Sequence, residues 1–128
     1  MAEFNPRKTI LLIDDDDTHL LIAQNLLAAD YEIVIARSGV EALDLIMKGL
    51  YPNLVLLDLF MPNMNGWETY AKIKEIYHLK EIPVAFLTIE DDENVEKHAY
   101  SIGVVDFIKK PFEKNDLLKR IKKILAGK

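Results

Sequence analysis

The residues that most constrain this chain lie near its middle, where a short apolar run meets a single carboxylate. Residues 54–57 (Leu-Val-Leu-Leu) are uninterrupted by any polar side chain, Asp58 follows directly, and Pro62 closes the segment. A short unbroken apolar run of this kind is typical of a parallel strand that is buried on both faces. Open sheets of such strands bind their ligands at the carboxyl ends of the strands. We therefore expect Asp58 to stand at the edge of a functional site.

Further apolar runs alternate with segments of helical periodicity along the whole chain. The predicted strands are residues 8–13, 32–36, 54–57, 82–88 and 104–108, and the predicted helices are residues 18–29, 38–47, 65–77, 90–101 and 113–126. This alternation implies βαβ units with right-handed crossovers, and hence a mainly parallel sheet covered by helices on both faces. Because there is no internal repeat and no linker, residues 1–128 are predicted to form one domain with a core of about residues 8–126.

The composition excludes several classes of protein. The chain has 128 residues, of which 50% are apolar and 29% are charged, which is typical of a folded domain. It has no cysteine, so neither a disulfide nor a thiolate metal site is possible. The net charge of -5 argues against direct nucleic-acid binding. No apolar run approaches the ~20 residues of a membrane span, and the start lacks the apolar core of a signal peptide, so a cytoplasmic location is expected.

Polar side chains stand at the carboxyl ends of four of the predicted strands. They are Asp14, Asp15, Asp58, Thr88 and Lys110. Carboxylates that share one edge repel one another unless a cation or a lysine neutralises them. Oxygen ligands without histidine or cysteine favour Mg²⁺ or another hard cation over zinc. A lysine and a hydroxyl beside a metal-bound carboxylate suit a phosphoryl group, which makes Asp58 the candidate nucleophile.

At this point the sequence resembles the receiver domains of two-component response regulators, of the type found in the chemotaxis response regulator. The matching motifs are residues 12–15 (LIDD), 54–62 (LVLLDLFMP) with 65–66 (NG), 86–88 (FLT) and 106–112 (DFIKKPF), and the resemblance covers about residues 9–125. It implies a flavodoxin-like, doubly wound (βα)5 three-layer sandwich with a parallel five-stranded sheet in the order 2-1-3-4-5. That strand order comes from the family resemblance alone.

The resemblance also assigns the acidic residues. Asp58 is implied to be the phosphoacceptor, which takes a phosphoryl group from a histidine kinase, a histidine phosphotransfer protein or a small acyl phosphate. Asp15 and Asp58 would bind Mg²⁺ directly, Asp14 would bind it through water, and the backbone carbonyl of Phe60 would complete the protein ligands. Such a domain is not an enzyme in the ordinary sense, but a phosphoacceptor with self-catalysed phosphotransfer and autodephosphorylation.

The remaining motif residues receive switch and phosphate-binding roles by the same resemblance. Lys110 would pair with the phosphoryl group, because it immediately precedes proline, and Lys109 would be a bystander. The Lys110–Pro111 bond is expected to be cis, as only X–Pro bonds readily are. Thr88 would be the switch hydroxyl, and Phe107 the aromatic side chain that turns inward with it.

Two positions depart from the family pattern. Ile89 stands where a very small residue usually follows the switch threonine, so it is predicted to narrow access to Asp58 and to slow exchange with solvent and bulky donors. Phe107 has no hydroxyl, so any switch through it must depend on packing. By analogy with the family, phosphorylation would act on an output surface made by the fourth helix, the fifth strand and the fifth helix. Tyr100, Ile102, Val104 and Phe107 would contribute to that surface or to its edge. The expected partners are a kinase, a downstream output domain or protein, and a second copy in a possible phosphorylation-dependent homodimer.

Two alternatives remain open from the residues alone. Asp14-x-Asp16-x-Thr18 after an apolar strand also fits the nucleophile motif of haloacid-dehalogenase-like phosphatases, although Asp58 would then have no role. A degenerate receiver that only binds partners is the second alternative.

Several other conspicuous residues are assigned structural roles. The three histidines, at positions 19, 78 and 98, are predicted to be exposed helix residues outside any site. Trp67 is predicted to be a partly buried anchor at a helix start.

Overall fold

The computed structural model describes residues 7–76 and 79–127, and this part of the chain contains five strands and five helices. The strands are β1 (Thr9–Ile13), β2 (Glu32–Ala36), β3 (Leu54–Leu57), β4 (Val84–Thr88) and β5 (Asp106–Lys109). The helices are α1 (Asp17–Leu27), α2 (Gly39–Met47), α3 (Gly66–Glu75), α4 (Glu93–Ser101) and α5 (Lys114–Ala126). None of these described helices combines the length and the apolar character that crossing a membrane requires.

All strands of the sheet run parallel, in the order β2-β1-β3-β4-β5. Ile13 pairs with Leu57, which pairs in turn with Phe86, and Thr88 pairs with Lys109 at the far edge. Parallel pairing brings the carboxyl ends of the strands to one edge of the sheet. The predicted flavodoxin-like fold, with its strand order, is confirmed.

The sheet divides the apolar core into two layers, because successive side chains of a strand point to opposite faces. One layer contains Leu11, Ile13, Val55, Leu57 and Phe86 from the strands, packed against Ala42, Ile46, Tyr70, Ile73 and Ala99 from α2, α3 and α4. The other contains Ile10, Leu12, Leu54, Leu56 and Leu87, packed against Leu20, Leu27, Leu117 and Ile121 from α1 and α5. Strand β3 is fully buried, as its unbroken apolar run predicts.

Side chains cap the starts of the five helices, and two of these caps were visible in the sequence. Asn65 and Glu68 form a reciprocal capping box at the start of α3, with bonds of 3.0 and 3.1 Å between each side chain and the other's backbone N–H. The Ser38 hydroxyl likewise accepts a hydrogen bond from the Glu41 backbone N–H (3.0 Å). Both capping pairs were predicted from their spacing, and each satisfies a helix N–H that has no partner within the helix.

Several element boundaries differ from the sequence prediction by one to three residues, and three of these differences lie at α4, β5 and α3. Helix α4 begins at Glu93 and not at residue 90, because the Asp92 carboxylate caps it by accepting the Asn94 N–H (2.8 Å). Strand β5 begins at Asp106 and not at residue 104, because the Val104 N–H donates to a carbonyl at the end of α4. Helix α3 ends at Glu75; its predicted end at residue 77 lies outside the described residues.

The start of α3 lies directly against the backbone that carries Asp58. The Gly66 N–H donates to the Leu59 carbonyl (3.0 Å), and a Cβ atom at Gly66 would lie 2.5 Å from the Asp58 carbonyl oxygen and 2.7 Å from the Leu59 Cα. Backbone atoms cannot rotate away as a flexible side chain can, so a residue without Cβ is required at this contact.

Replacement of Gly66 by Ala is therefore expected to destabilise the fold by about 1–3 kcal/mol, the usual cost of overpacking. Gly127→Ala is the matched control, since a Cβ there has no neighbour closer than 3.6 Å. Urea unfolding of the two variants and the wild type measures the difference. A Gly66→Ala protein as stable as the control would contradict the close approach.

Candidate functional site

Three acidic side chains meet at the carboxyl edge of the sheet. Asp14 follows β1, Asp15 comes next, and Asp58 follows β3; one carboxylate oxygen of each lies within 4.8 Å of the others. Asp14 and Asp58 are 3% and 6% exposed, whereas Asp15 is open to solvent. The structure therefore brings together the three residues that the sequence singled out as metal ligands.

The backbone holds the two buried carboxylates in place. The hydrogen bonding of the sheet continues one residue beyond the ends of β1 and β3. The Asp14 N–H donates to the Ala36 carbonyl (3.1 Å), and the Asp58 N–H donates to the Ile13 carbonyl (3.0 Å). Oδ1 of Asp58 accepts a longer hydrogen bond from the Phe60 N–H (3.3 Å). Both side chains thus project from the rigid end of the sheet and not from a free loop.

Lys110 provides a buried positive charge between these carboxylates. Its Nζ lies 2.5 Å from Oδ2 of Asp14 and 3.8 Å from Oδ2 of Asp58, and its side chain is only 6% exposed. The Lys110 backbone N–H donates to the Thr88 carbonyl (2.7 Å), and the Lys110–Pro111 bond is cis, as predicted. The neighbouring Lys109 points elsewhere, with Nζ 3.4 Å from a carboxylate oxygen of Glu96.

Thr88 and Phe107, the predicted switch residues, are both buried. Thr88 ends β4 with no exposed surface, and its hydroxyl accepts a long hydrogen bond from the Glu90 N–H (3.3 Å). Phe107 is 3% exposed, and its ring packs edge-on against Phe86 at a centroid distance of 6.2 Å. Phe107 is therefore already inward in this structure.

The predicted output surface is only half formed by the residues proposed for it. Tyr100 and Ile102 are exposed, but Val104 and Phe107 are buried in the core layer beneath them. The prediction that Val104 and Phe107 contribute to the surface is wrong, because both side chains fill the space between the sheet and α4. Tyr100 nevertheless contacts this layer, since its hydroxyl accepts a hydrogen bond from the Phe107 N–H (3.2 Å).

An open groove of about 350 Å³ borders the site on the α1 side. It is lined by Thr18, His19, Ile22, Ile89, Lys110 and Phe112, together with Pro111. The Ile89 side chain is 62% exposed and forms part of the wall of this groove beside Lys110. The Phe60 side chain is also half exposed.

His19 is the residue that the sequence interpretation missed. Its Nδ1 lies 2.9 Å from the Lys110 Nζ and 3.6 Å from Oδ2 of Asp14, so the prediction that it lies outside any site is wrong. His98 instead packs against the Trp67 ring (5.1 Å between centroids), and His78 lies outside the described residues. The position of His19 in the sequence could have indicated this contact, because His19 is in the first turn of the helix that begins beside Asp14.

The site has more negative charge than Lys110 alone neutralises. Burial raises the pKa of the Asp58 carboxyl from its usual 3.8 to about 6; the Lys110 ammonium lowers this pKa and the Asp14 carboxylate raises it. An additional cation would relieve this cost, and the converging ligands are all carboxylate oxygens. Hard divalent cations prefer such ligands, so the residues present fit a divalent metal ion.

The raised pKa predicts that Asp58 destabilises the metal-free protein at neutral pH. The folded protein holds the Asp58 proton more tightly than the unfolded chain does, so protonation of Asp58 stabilises the folded state. This stabilisation is complete below about pH 4 and is lost as the pH rises through about 6, where Asp58 becomes charged. Asp58→Asn should therefore be more stable than the wild type by about 1–3 kcal/mol at pH 7.5, since one pKa unit corresponds to ~1.4 kcal/mol.

Urea unfolding in EDTA between pH 4 and pH 8 tests this expectation. The difference in unfolding free energy between Asp58→Asn and wild type should grow with pH and then level off. Asp15→Asn, which removes a solvent-exposed carboxylate of the same cluster, should have a smaller effect. A difference for Asp58→Asn that does not vary with pH would contradict the argument.

Two known proteins illustrate what the sequence of this chain is similar to. A protein named probable cyclic di-GMP phosphodiesterase from Vibrio cholerae is 40% identical over 104 residues, which are 80% of this chain but only 23% of that protein. The response regulator Rcp1 of Synechocystis is 35% identical over 131 aligned positions, which cover 95% of this chain and 89% of Rcp1.

Two solved structures of response regulator proteins superpose on this chain over nearly their whole length. The chemotaxis protein CheY4 of Vibrio cholerae superposes with a TM-score of 0.85 at 26% identity, over 92% of this chain and 98% of that chain. The Mn²⁺-bound form of response regulator Rcp1 superposes with a TM-score of 0.76 at 32% identity, over 91% of each chain.

The family assignment rests on nearly the whole sequence. Residues 10–122 match the family model of the response regulator receiver domain. This segment contains strands β2 to β5, all of β1 except Thr9, and the residues at the carboxyl ends of the strands. The chain therefore belongs to the response regulator receiver domain family of two-component signalling proteins.

Proposed function

We propose that Asp58 accepts a phosphoryl group from a histidine kinase or a histidine phosphotransfer protein. The observation that carries the proposal is the placement of a buried carboxylate 3.8 Å from the buried ammonium of Lys110, beside two further carboxylates. This arrangement provides a nucleophile and a cation to neutralise the incoming charge at one point of the sheet edge.

The proposed reaction is a transfer between two nucleophiles. A carboxylate oxygen of Asp58 attacks the phosphorus of a phosphohistidine, a P–O bond forms, and the P–N bond breaks. The imidazole nitrogen of the donor keeps the electron pair of the broken bond, and Asp58 becomes an acyl phosphate. Later attack by water on the phosphorus returns the Asp58 carboxylate and releases inorganic phosphate, which would be the self-catalysed dephosphorylation.

Lys110 and Thr88 are proposed to hold the transferred group. The Lys110 ammonium is close enough to Asp58 to reach a phosphoryl oxygen attached to it by a small rotation of its side chain. Within the described part of the chain, the Thr88 hydroxyl takes part in a single long hydrogen bond, as the acceptor, so its own proton is available for a phosphoryl oxygen. Movement of Thr88 toward the phosphoryl group would shift a pre-existing equilibrium between two conformations of the domain. Phe107, which is tightly packed, would transmit this shift through packing alone.

Mg²⁺ is the proposed metal ion. Asp15, Asp58 and the Phe60 carbonyl would bind it directly, and Asp14 would bind it through water. When bound, the ion would neutralise charge on the phosphoryl oxygens and the carboxylates. The oxygen-only ligands support this choice, as does the Mn²⁺ bound by the Rcp1 structure.

The output is also part of the proposal, because the chain spans only 23% of the phosphodiesterase that it resembles. Receiver domains act with histidine kinases and output domains, and are signalling phosphoacceptors. For this chain we propose a downstream output domain or protein, no direct nucleic-acid binding, and a phosphorylation-dependent homodimer. That residues 1–128 form a single domain, and that it is cytoplasmic, stay predictions.

The two alternatives are less well supported. In the phosphatase motif, Asp16 would act beside Asp14, but here Oδ1 of Asp16 caps α1 by accepting the His19 N–H (3.0 Å). A degenerate receiver would need no complete set of site residues, whereas Asp58, Thr88 and Lys110 all meet at this edge.

Asp58→Asn is expected to abolish labelling by a small acyl phosphate in the presence of Mg²⁺, because an amide is not a nucleophile for phosphorus. Intact-protein mass spectrometry detects one added phosphoryl group on the wild type, and peptide mapping locates it. Asp30→Asn is the matched control, as Asp30 is exposed and lies just before β2, at the amino ends of the strands and not at the carboxyl ends where the site lies. Label on Asp14, or persistent labelling of Asp58→Asn, would undo the proposal, and the former would favour the phosphatase alternative.

Ile89→Ala is expected to accelerate both labelling by small donors and loss of the label severalfold, because it removes a bulky side chain beside Thr88. Stopped-flow measurement of Trp67 fluorescence follows both rates, since this indole lies next to the loop after Asp58. Ile22→Ala is a suitable comparison: Ile22 lines the same groove from α1 and is 47% exposed. Equal rates for Ile89→Ala and the wild type would show that Ile89 does not restrict access.

A further inference from the structure

The Lys110 ammonium makes two short contacts, and neither of them is to Asp58. An ammonium has three N–H donors. Its nitrogen lies 2.5 Å from Oδ2 of Asp14 and 2.9 Å from Nδ1 of His19, while Oδ2 of Asp58 is beyond hydrogen-bond distance at 3.8 Å. His19 is thus the second hydrogen-bond partner of the lysine.

The chemistry of this contact fixes the form of the imidazole. Lys110 can only donate, so Nδ1 of His19 must carry a lone pair and accept. The ring proton is therefore on Nε2. A carbon side chain at this position would leave one of the buried N–H groups of the ammonium without its partner.

The contact is part of a closed ring of four hydrogen bonds. The Asp16 N–H donates to Oδ1 of Asp14 (3.0 Å), and the His19 N–H donates to Oδ1 of Asp16 (3.0 Å). Lys110 closes the ring by donating to both His19 and Asp14. Because the backbone of His19 is held by the cap of α1, its imidazole is fixed relative to the acidic cluster.

We propose that His19 is a positioning residue for Lys110: it holds the ammonium beside Asp14 and away from the nucleophilic oxygen of Asp58. A lysine has a long flexible stem, and with Asp14 as its remaining partner the ammonium would be free to rotate toward the second carboxylate, Asp58. A tight ion pair with Asp58 would occupy the oxygen that has to attack phosphorus. The inference rests on the proposed function, since it presumes that Asp58 accepts a phosphoryl group and that Lys110 binds it.

His19→Leu should therefore slow acyl-phosphate labelling about tenfold, within the range that misplacing a catalytic group produces. His19→Asn should restore the rate to within about twofold of the wild type, because its amide oxygen accepts a hydrogen bond close to the position of Nδ1. His98→Leu is the control for the same substitution elsewhere, and should leave the rate unchanged. Urea unfolding shows whether each variant is folded.

Nitrogen NMR of the histidine rings at pH 8 tests the contact without any phosphorylation. In the wild type, His19 should have its proton on Nε2, and Lys110→Met should shift the Nδ1 resonance of His19 but not that of His98. A His19 ring protonated on Nδ1, or one that does not respond to Lys110→Met, would overturn the inference. So would a His19→Leu protein labelled at the wild-type rate, or a His19→Asn protein as slow as His19→Leu.

These outcomes separate the inference from the proposed function. If the wild type cannot be labelled on Asp58, the proposed function fails, whereas the NMR result still decides whether His19 holds Lys110. If the wild type is labelled but the histidine variants do not differ as expected, the inference alone fails. Should His19→Leu not fold, His19→Asn and the NMR comparison decide.

Discussion

Parallel strand pairing is the constraint on which the rest of this molecule depends. It places every strand end on one edge, and so concentrates three carboxylates where two of them are buried. Such a cluster is costly, and the Lys110 ammonium offsets only part of the repulsion. Burial of the Asp58 carboxyl adds the larger cost and, with the remaining repulsion from Asp14, raises its pKa to about 6. The fold therefore creates a cluster of carboxylate oxygens that suits a hard divalent cation, because such a cation would relieve a cost that folding imposes.

The sheet and most of the site could be predicted because the relevant signals are local. An unbroken apolar run predicts β3, and the spacing of Asn65 and Glu68 predicts the start of α3. The start of α4 was missed because several consecutive acidic residues could each have capped it, and only the structure shows that Asp92 does. The strand order needed the family resemblance, since nothing in a single sequence states which strands are neighbours.

His19 shows a different limit of sequence interpretation. An isolated histidine on a helix is commonly exposed, and no spacing relates it to Lys110, which is far away along the chain. The contact arises from two independent structural facts: α1 begins at the edge of the sheet, and the lysine that follows β5 reaches back toward β1. Burial of Val104 and Phe107 was missed for a similar reason, because it depends on how closely α4 packs on the sheet.

The pairing of β5 with β4 also determines which of two adjacent lysines, Lys109 or Lys110, lies in the acidic site. Thr88 lies opposite Lys109, whose ammonium contacts Glu96, while Lys110 comes one residue later and is buried. A slip of one residue along this edge strand would exchange the two lysines, although the composition of the strand would be unchanged. Which lysine is proposed to bind the phosphoryl group is thus determined by the hydrogen-bond register of an edge strand as much as by the amino acid itself.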